Sequence, residues 1–108
     1  VSQYRDYMES IGLTDNLPTM SAGWNTAEVT VEILRRAAES ADGLTRKSII
    51  EAARDLDYHP SLAREGANAR MSGEEDGFLF EAVQIIQYDF ANGVWNDVGE
   101  MILDFESS

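Results

Sequence analysis

The sequence predicts a small mixed domain, α/β in class and locally α+β: three helices, then a long loop, then a C-terminal β-hairpin. Two observations predict it. Apolar residues recur at helical spacings in three blocks of the first half of the chain. Near the other end, Asn92-Gly93, the strongest short-range hairpin dipeptide, is flanked by Tyr88 and Phe90 on one side and Val94 and Trp95 on the other. The 108 residues fit one unit with a thin core, in which residues 1–57 are helical, residues 58–77 form a loop and residues 78–105 form the hairpin.

The first helix follows from Tyr4, Tyr7, Met8 and Ile11, which share one face, and Gly12 is a natural stop. "LTDNLP" reads as loop, because Pro18 pushes Leu17 towards extended geometry. The second helix is expected to start at Asn25 as N-cap, with Glu28 three residues on, approximating a capping box. Its apolar stripe is Ala27, Val31, Leu34, Ala38 and Ala41. Glu28, Glu32, Arg35, Arg36 and Glu39 form the opposite face, with Glu32–Arg36 and Arg35–Glu39 as i,i+4 pairs, and Gly43 closes the helix. The third helix takes Thr45 as N-cap, with Leu44 and Ile49 placed for a hydrophobic staple, and turns Ile49, Ala52, Ala53 and Leu56 to one side. Residues 57–77 show no sustained period, and loops of that length are uncommon in small domains. In the hairpin strands, 78–88 and 95–105, Val83, Ile85 and Ile86 place apolar groups on both faces, as in strands inside a larger layered structure.

Eight basic residues against twenty acidic ones give a formal charge of −12, which repels phosphates and anionic headgroups and argues against nucleic-acid partners. The absence of cysteine removes disulfides, thiolate catalysis and Cys-ligated zinc. No apolar run reaches the length of a membrane span. The single histidine, His59, has Asp57 and Glu65 nearby but no second histidine or regular acidic spacing to hold a metal. "SGEEDG" at 72–77 lacks the order of an EF-hand loop and reads as a solvated acidic loop. No nucleophile–base spacing and no phosphate loop are present, so no catalytic residue, no metal and no cofactor are expected. Trp24 and Trp95 stand at a loop–helix junction and beside a turn, places that serve either packing or ligand contact.

One family joins these pieces. "SAGWNTAEVTVEILRRA", then "GLTRKSIIEAARDLD", a Gly-rich loop and "EAVQIIQYDFANGVWNDVGEM" resemble, in that order, the C-terminal end of the branched-chain amino-acid receptors of ABC transporters, the type I periplasmic binding proteins. The carrying residues are Gly23-Trp24-Asn25, Leu44-Thr45, and Val83, Ile85, Gln87, Gly93, Trp95 and Val98. The resemblance implies a fragment of a two-lobe fold, an expectation that the chain's opening inside a helical pattern shares. It also implies capture of a branched-chain or related small amino acid or amide, delivery to a membrane permease, and an extracytoplasmic location. Residues 19–24 would face the inter-lobe cleft, with Met20, Ser21 and Trp24 as ligand contacts. The family's main ligand anchors lie in segments absent here. The hairpin would lean on strands outside this chain, so that the isolated chain covers it by forming a homo-oligomer, in the first place a two-fold dimer. Two alternatives stand beside this: a ligand-sensing domain of the same fold in a regulator or receptor, and a stand-alone acidic protein-interaction module.

Overall fold

The chain runs through α1 (Ser2–Ser10), α2 (Leu17–Glu39), α3 (Arg46–Arg54), β1 (Asp55–Tyr58), β2 (Ala69–Ser72), β3 (Ile86–Asp89) and β4 (Val94–Asp97). The computed structural model describes residues 2–15, 17–74, 77 and 79–103, without the side chains of Leu17 and Pro18. The result is three helices and two small antiparallel sheets, β1–β2 and β3–β4.

The first helix ends as its sequence dictates. Leu13 N–H donates to Met8 O (2.9 Å) and Gly12 N–H to Glu9 O (3.0 Å), the paired bonds of a Schellman stop. The motif needs a left-handed residue, and Gly12 supplies it at φ 76°. Tyr4 and Met8 are buried, whereas Tyr7 and Ile11 are half exposed.

The second helix departs from expectation in two ways. It starts at Leu17, a full two turns before Asn25, with Pro18 in the first turn, where its missing N–H costs no intrahelical bond. It also buries the other face. Val29 is 2 % exposed and Ala37 fully buried, with Ile33 packed beside them, while Val31 is 64 % exposed and Ala27, Leu34 and Ala38 are also exposed. The sequence has two apolar stripes on this helix. The one that wins is the one flanked by Asn25, Glu32 and Arg36, whose polar ends bind neighbouring elements. Both expected ion pairs form, Arg36–Glu32 and Arg35–Glu39, each at 2.7 Å.

The third helix is capped as expected. Thr45 Oγ1 accepts from Ser48 N–H (3.1 Å), and Thr45 N–H donates to Ser48 Oγ (2.9 Å). Ser48, rather than the usual Glu or Gln, closes this capping box, and it is buried. Leu44 remains 60 % exposed. The helix ends at Arg54, so Leu56 belongs to a strand and not to the helix.

β1 replaces the end of the expected helical part, 1–57, and its partner β2 is the main correction to the expected loop 58–77. β1 and β2 pair antiparallel, Leu56 opposite Met71 and Tyr58 opposite Ala69. These four residues share one face, and Asp55, Asp57, Arg70 and Ser72 take the other. Leu56 and Ala69 join Val29 in the core, with Ile33, Tyr58 and Leu79 packed around them. Gly73 N–H bonds to Arg54 O in the same register, so the carbonyls of Asp55 and Asp57 lie on the outer edge of β1. Arg36 of α2 reaches both, at 3.0 and 3.3 Å. On the outer edge of β2, Arg70 N–H donates to Leu79 O (2.9 Å). Both edges of this sheet are therefore engaged.

The second sheet is left open. β3 and β4 are much shorter than the expected strands, and Phe78, Asp104 and Phe105 of those strands lie outside the described residues. Beyond β3 and β4, Val98 N–H donates to Ile85 O (2.9 Å) in the same register, and the bridge Val83–Ile102 continues the pairing with the register displaced by two residues. The turn is a four-residue loop, 90–93, rather than a two-residue one. Asp89 organises it by accepting from Ala91 N–H (2.9 Å), Asn92 N–H (3.2 Å) and the Asn92 amide (2.7 Å). Gly93 closes it at φ 67°. Tyr88 opposes Trp95, their ring centroids 5.0 Å apart, and Phe90 stacks edge-on against Tyr88 yet is 89 % exposed. Ile85, Ile86, Val94 and Val98 are exposed as well, on both faces. The outward backbone groups of Ile86, Tyr88, Trp95 and Asp97 have no partner among the described residues. The hairpin is tied to the remainder chiefly by a two-pronged Arg64–Asp97 bridge at 2.8 and 3.0 Å.

The shape agrees with an incomplete cover. The radius of gyration is 16.9 Å and the extents are 57 × 42 × 16 Å. A compact chain of this length has a radius of about 13 Å. The choice of helix face is open to direct measurement. Leu56→Ala should lower unfolding free energy by about 2–5 kcal/mol, whereas Val31→Ala should change it by no more than about 0.5 kcal/mol. Urea melts of the two variants in which Val31→Ala cost more than Leu56→Ala would restore the opposite stripe as the core.

Candidate functional site

The polar residues that look like a capping box on α2 do not cap α2. Asn25 and Glu28 lie well inside the helix and, three residues apart, point the same way. They receive the backbone of a distant turn. Leu62 N–H donates to Asn25 Oδ1 (3.2 Å) and Ser61 N–H to Glu28 Oε2 (2.7 Å). The Ser61 hydroxyl also donates to Glu28 Oε1. The turn itself starts at the buried Pro60 and is closed by Ala63 N–H to Pro60 O (3.0 Å). Two side chains thus satisfy the inner N–H groups of a turn, as they would have done for a helix start.

Trp24 completes this arrangement. Its Nε1–H donates to Glu28 Oε1 at 2.7 Å. Tyr4 meets the indole edge-on at 5.4 Å and Tyr7 lies tilted at 5.9 Å, so Trp24 joins α1 to α2. Beside it opens a shallow groove of about 340 Å³ lined by Trp24, Ala27, Glu28, Val31, Glu32 and Tyr58. Two aromatic rings, two carboxylates and two small apolar side chains meet there.

The carboxylates are held ionised by different means. Burial pushes Glu28 up, but the Ser61 N–H, the Ser61 hydroxyl and the Trp24 indole together outweigh it and hold the group below the ordinary carboxylate range; the amino-terminal charge adds a smaller lowering. Glu32 is held down to about 2 by hydrogen bonds from Arg35 and then Arg36. Tyr58 is pushed up by burial first and then by the charges of Glu28 and Glu32. The phenol therefore stays protonated and the groove negative.

Of the three residues expected to touch a ligand, Trp24 lines the groove. Met20 and Ser21 stand one turn earlier on the same side of α2, partly buried and outside the lining. None of the three lies in a loop before a helix start, because α2 has already begun at Leu17. No helix N-terminus stands behind them. Glu28, Glu32 and Tyr58 escape sequence reasoning. The first two look like wet-face residues, and Tyr58 sits where a loop is expected.

His59 takes part in a chain of polar contacts, His59 Nδ1 to Asn68 Oδ1 (3.1 Å) and the Asn68 amide to Asp57 Oδ1 (2.8 Å). This chain ties β1 to the residue before β2. Among the described residues no group of His, Asp and Glu side chains is placed to hold a metal ion; Glu75 and Asp76 of the acidic loop lie outside them. Among the same residues, no helix is long and apolar enough to cross a membrane. Comparison with protein-family models, curated proteins and solved structures finds no match to this chain.

Two outcomes follow from the geometry. Glu28 and Glu32 titrate lower in the folded chain than in the unfolded one, so their stabilisation is complete above their ordinary value of 4.5. It is withdrawn as pH falls from there towards about 2. Urea unfolding across this interval should show stability falling with acidity, with a shallower fall in Glu28→Gln and Glu32→Gln; identical profiles would remove these two groups from the account. Second, Trp24→Ala should loosen α1. A full core Trp→Ala costs about 3–5 kcal/mol, so a half-buried indole should cost about 2 kcal/mol. Hydrogen exchange of the α1 amides should rise to the free-peptide rate in this variant, and unchanged protection would show that α1 is held without it.

Proposed function

We propose that this chain is the C-terminal portion of an extracytoplasmic solute-binding protein of an ABC importer, a two-lobe protein that closes on a branched-chain or related small amino acid or amide and presents it to a membrane permease. Closure is a hinge motion driven by ligand contacts to both lobes. Met20, Ser21 and Trp24 belong to the ligand-facing wall, and the chain performs no catalysis.

The observation that carries this reading is the β3–β4 sheet. Its two faces are apolar and exposed, and among the described residues nothing pairs with its edges, whereas the edges of β1–β2 are engaged by Arg36 and Leu79. A lone hairpin is marginal in water. Such a sheet is finished by further strands and a covering layer, which is what the remainder of a two-lobe receptor supplies. The exposed stripe of α2, Ala27, Val31, Leu34 and Ala38, asks for the same cover.

In isolation the hairpin is covered by a second copy, as a two-fold dimer. That contact is charge-opposed. After Arg70 the sequence has no lysine, arginine or histidine, while nine acidic residues follow, Asp89, Asp97 and Glu100 among them. Screening weakens such repulsion, the Debye length falling from about 10 Å at 0.1 M salt to about 3 Å at 1 M. Light scattering at micromolar concentration should therefore find a dimer that tightens as salt rises. A cooperative monomer at all salt concentrations would remove the main physical support. Joined to the sequence encoded upstream, the chain should bind leucine, isoleucine or valine in titration calorimetry, and alone it should bind none of them. Absence of binding in the joined form would refute the solute-capture reading.

A further inference from the structure

We infer that Asn92 is a site of spontaneous deamidation, that Asp89 restrains the reaction, and that the reaction opens the turn that restrained it. Asn92 is the one asparagine of the chain followed by glycine. Deamidation begins when the backbone nitrogen of the next residue attacks the side-chain carbonyl carbon, and a Cβ on that next residue hinders the approach. Gly93 has none, and beyond its chain neighbours a Cβ built there would meet only the Tyr88 hydroxyl, at 3.9 Å. Asn92 is exposed in the 90–93 loop, so water reaches it.

In the reaction the Gly93 nitrogen gives its proton to solvent and bonds to Asn92 Cγ. The Cγ–Nδ2 bond breaks, and Nδ2 takes up one proton and leaves as ammonia. Water then opens the cyclic imide at either carbonyl, leaving aspartate or isoaspartate at position 92. In the folded turn Asp89 engages both reacting groups. Gly93 N–H donates to Asp89 O (2.8 Å), and the Asn92 amide donates to Asp89 Oδ2 (2.7 Å). Ring closure turns Asn92 about ψ, which breaks the first bond, and it uses the carboxamide that the second bond holds. The Asp89 carboxylate also disfavours the anionic nitrogen that the attack requires. That carboxylate is ionised, because the Asn92 amide and then the Asn92 N–H hold it below the ordinary carboxylate range.

The products undo the turn. An ionised carboxylate only accepts hydrogen bonds, and Asp89 draws its donors from Ala91 N–H, Asn92 N–H and the Asn92 amide. Either product puts a second carboxylate where the amide donor stood, a hydrogen-bond length from the first, and the two repel. Isoaspartate also adds a methylene to the backbone of a four-residue loop that sets the register of β3 and β4. The inference does not rest on the solute-capture reading.

The test holds the 108-residue chain at neutral pH and locates deamidation by fragmentation mass spectrometry. Asn92 should convert well before Asn96. Two hydrogen bonds open before the attack, so the folded chain should react roughly thirtyfold more slowly than the free peptide of residues 87–96. Asp89→Asn should speed the folded chain about fivefold. The comparison with the peptide needs no variant, and it stands if Asp89→Asn opens the hairpin. The consequence is read by hydrogen exchange at the Gln87 and Asn96 amides. Asn92→Asp should lower their protection about tenfold, and adding Asp89→Asn should restore most of it. Asn92→Ala, which removes the donor without adding charge, should lower it less. Equal rates in chain and peptide, conversion at Asn96 as fast as at Asn92, an unchanged rate in a folded Asp89→Asn chain, or protection not restored in the double variant would each overturn the inference while leaving the solute-capture reading untouched.

Discussion

The polar side of α2 holds the structure together. Asn25, Glu28 and Arg36 lie along one side of a single helix, and each binds backbone belonging to a later segment: Leu62, Ser61, and the carbonyls of Asp55 and Asp57. The Asn25–Leu62 bond is partly buried and the others are exposed, each worth about 0.5–1.5 kcal/mol, and together they align β1 and the 60–63 turn on α2. Once they sit there, Val29, Ile33 and Ala37 have a partner surface and Val31 and Leu34 do not. The polar clamp and the apolar core select the same side of α2.

This order of causes explains what could be read from the sequence. Local signals were legible wherever the partner was local. Gly12 stops α1, Thr45 caps α3, and the Arg–Glu pairs of α2 form, because each involves residues within five positions of one another. Signals that depend on a distant partner misled. Asn25 with Glu28 has the spacing of a helix start, and the residues perform that chemistry on a turn more than thirty residues away. The buried stripe of α2 could not be chosen because both stripes are apolar, and only Arg36 reaching β1 separates them. The β1–β2 pair was missed because four-residue strands carry too little alternation to stand out, and the ten residues between them hide the pairing.

The candidate site was only half legible for the same reason. Trp24 announces itself as a large aromatic in a polar neighbourhood, and it does line the groove. Tyr58 arrives there only through the strand that the sequence does not reveal. Glu28 and Glu32 read as solvated charges, yet one is desolvated by the turn and the other neutralised by two arginines. Their shared surroundings come from the fold, and sequence spacing carries no record of them.

The two sheets share a size and a topology and differ only in how they are finished. The first meets a helix on its apolar face, a guanidinium on one edge and a backbone oxygen on the other. Among the described residues the second is tied by Arg64 to Asp97, while Met101 and Leu103, beyond the sheet, lie near Gly66. A second copy that covers it must overcome like charge and lose translational freedom, a cost estimated at about 4–15 kcal/mol. A covering layer joined to the same polypeptide avoids most of that cost, because its effective concentration is set by the connecting chain rather than by the solution. It can also carry the cations that this region lacks after Arg70. An acidic, two-faced hairpin thus pairs with a second copy only where its charge is screened, whereas a covering layer on the same polypeptide would bury it at any salt concentration.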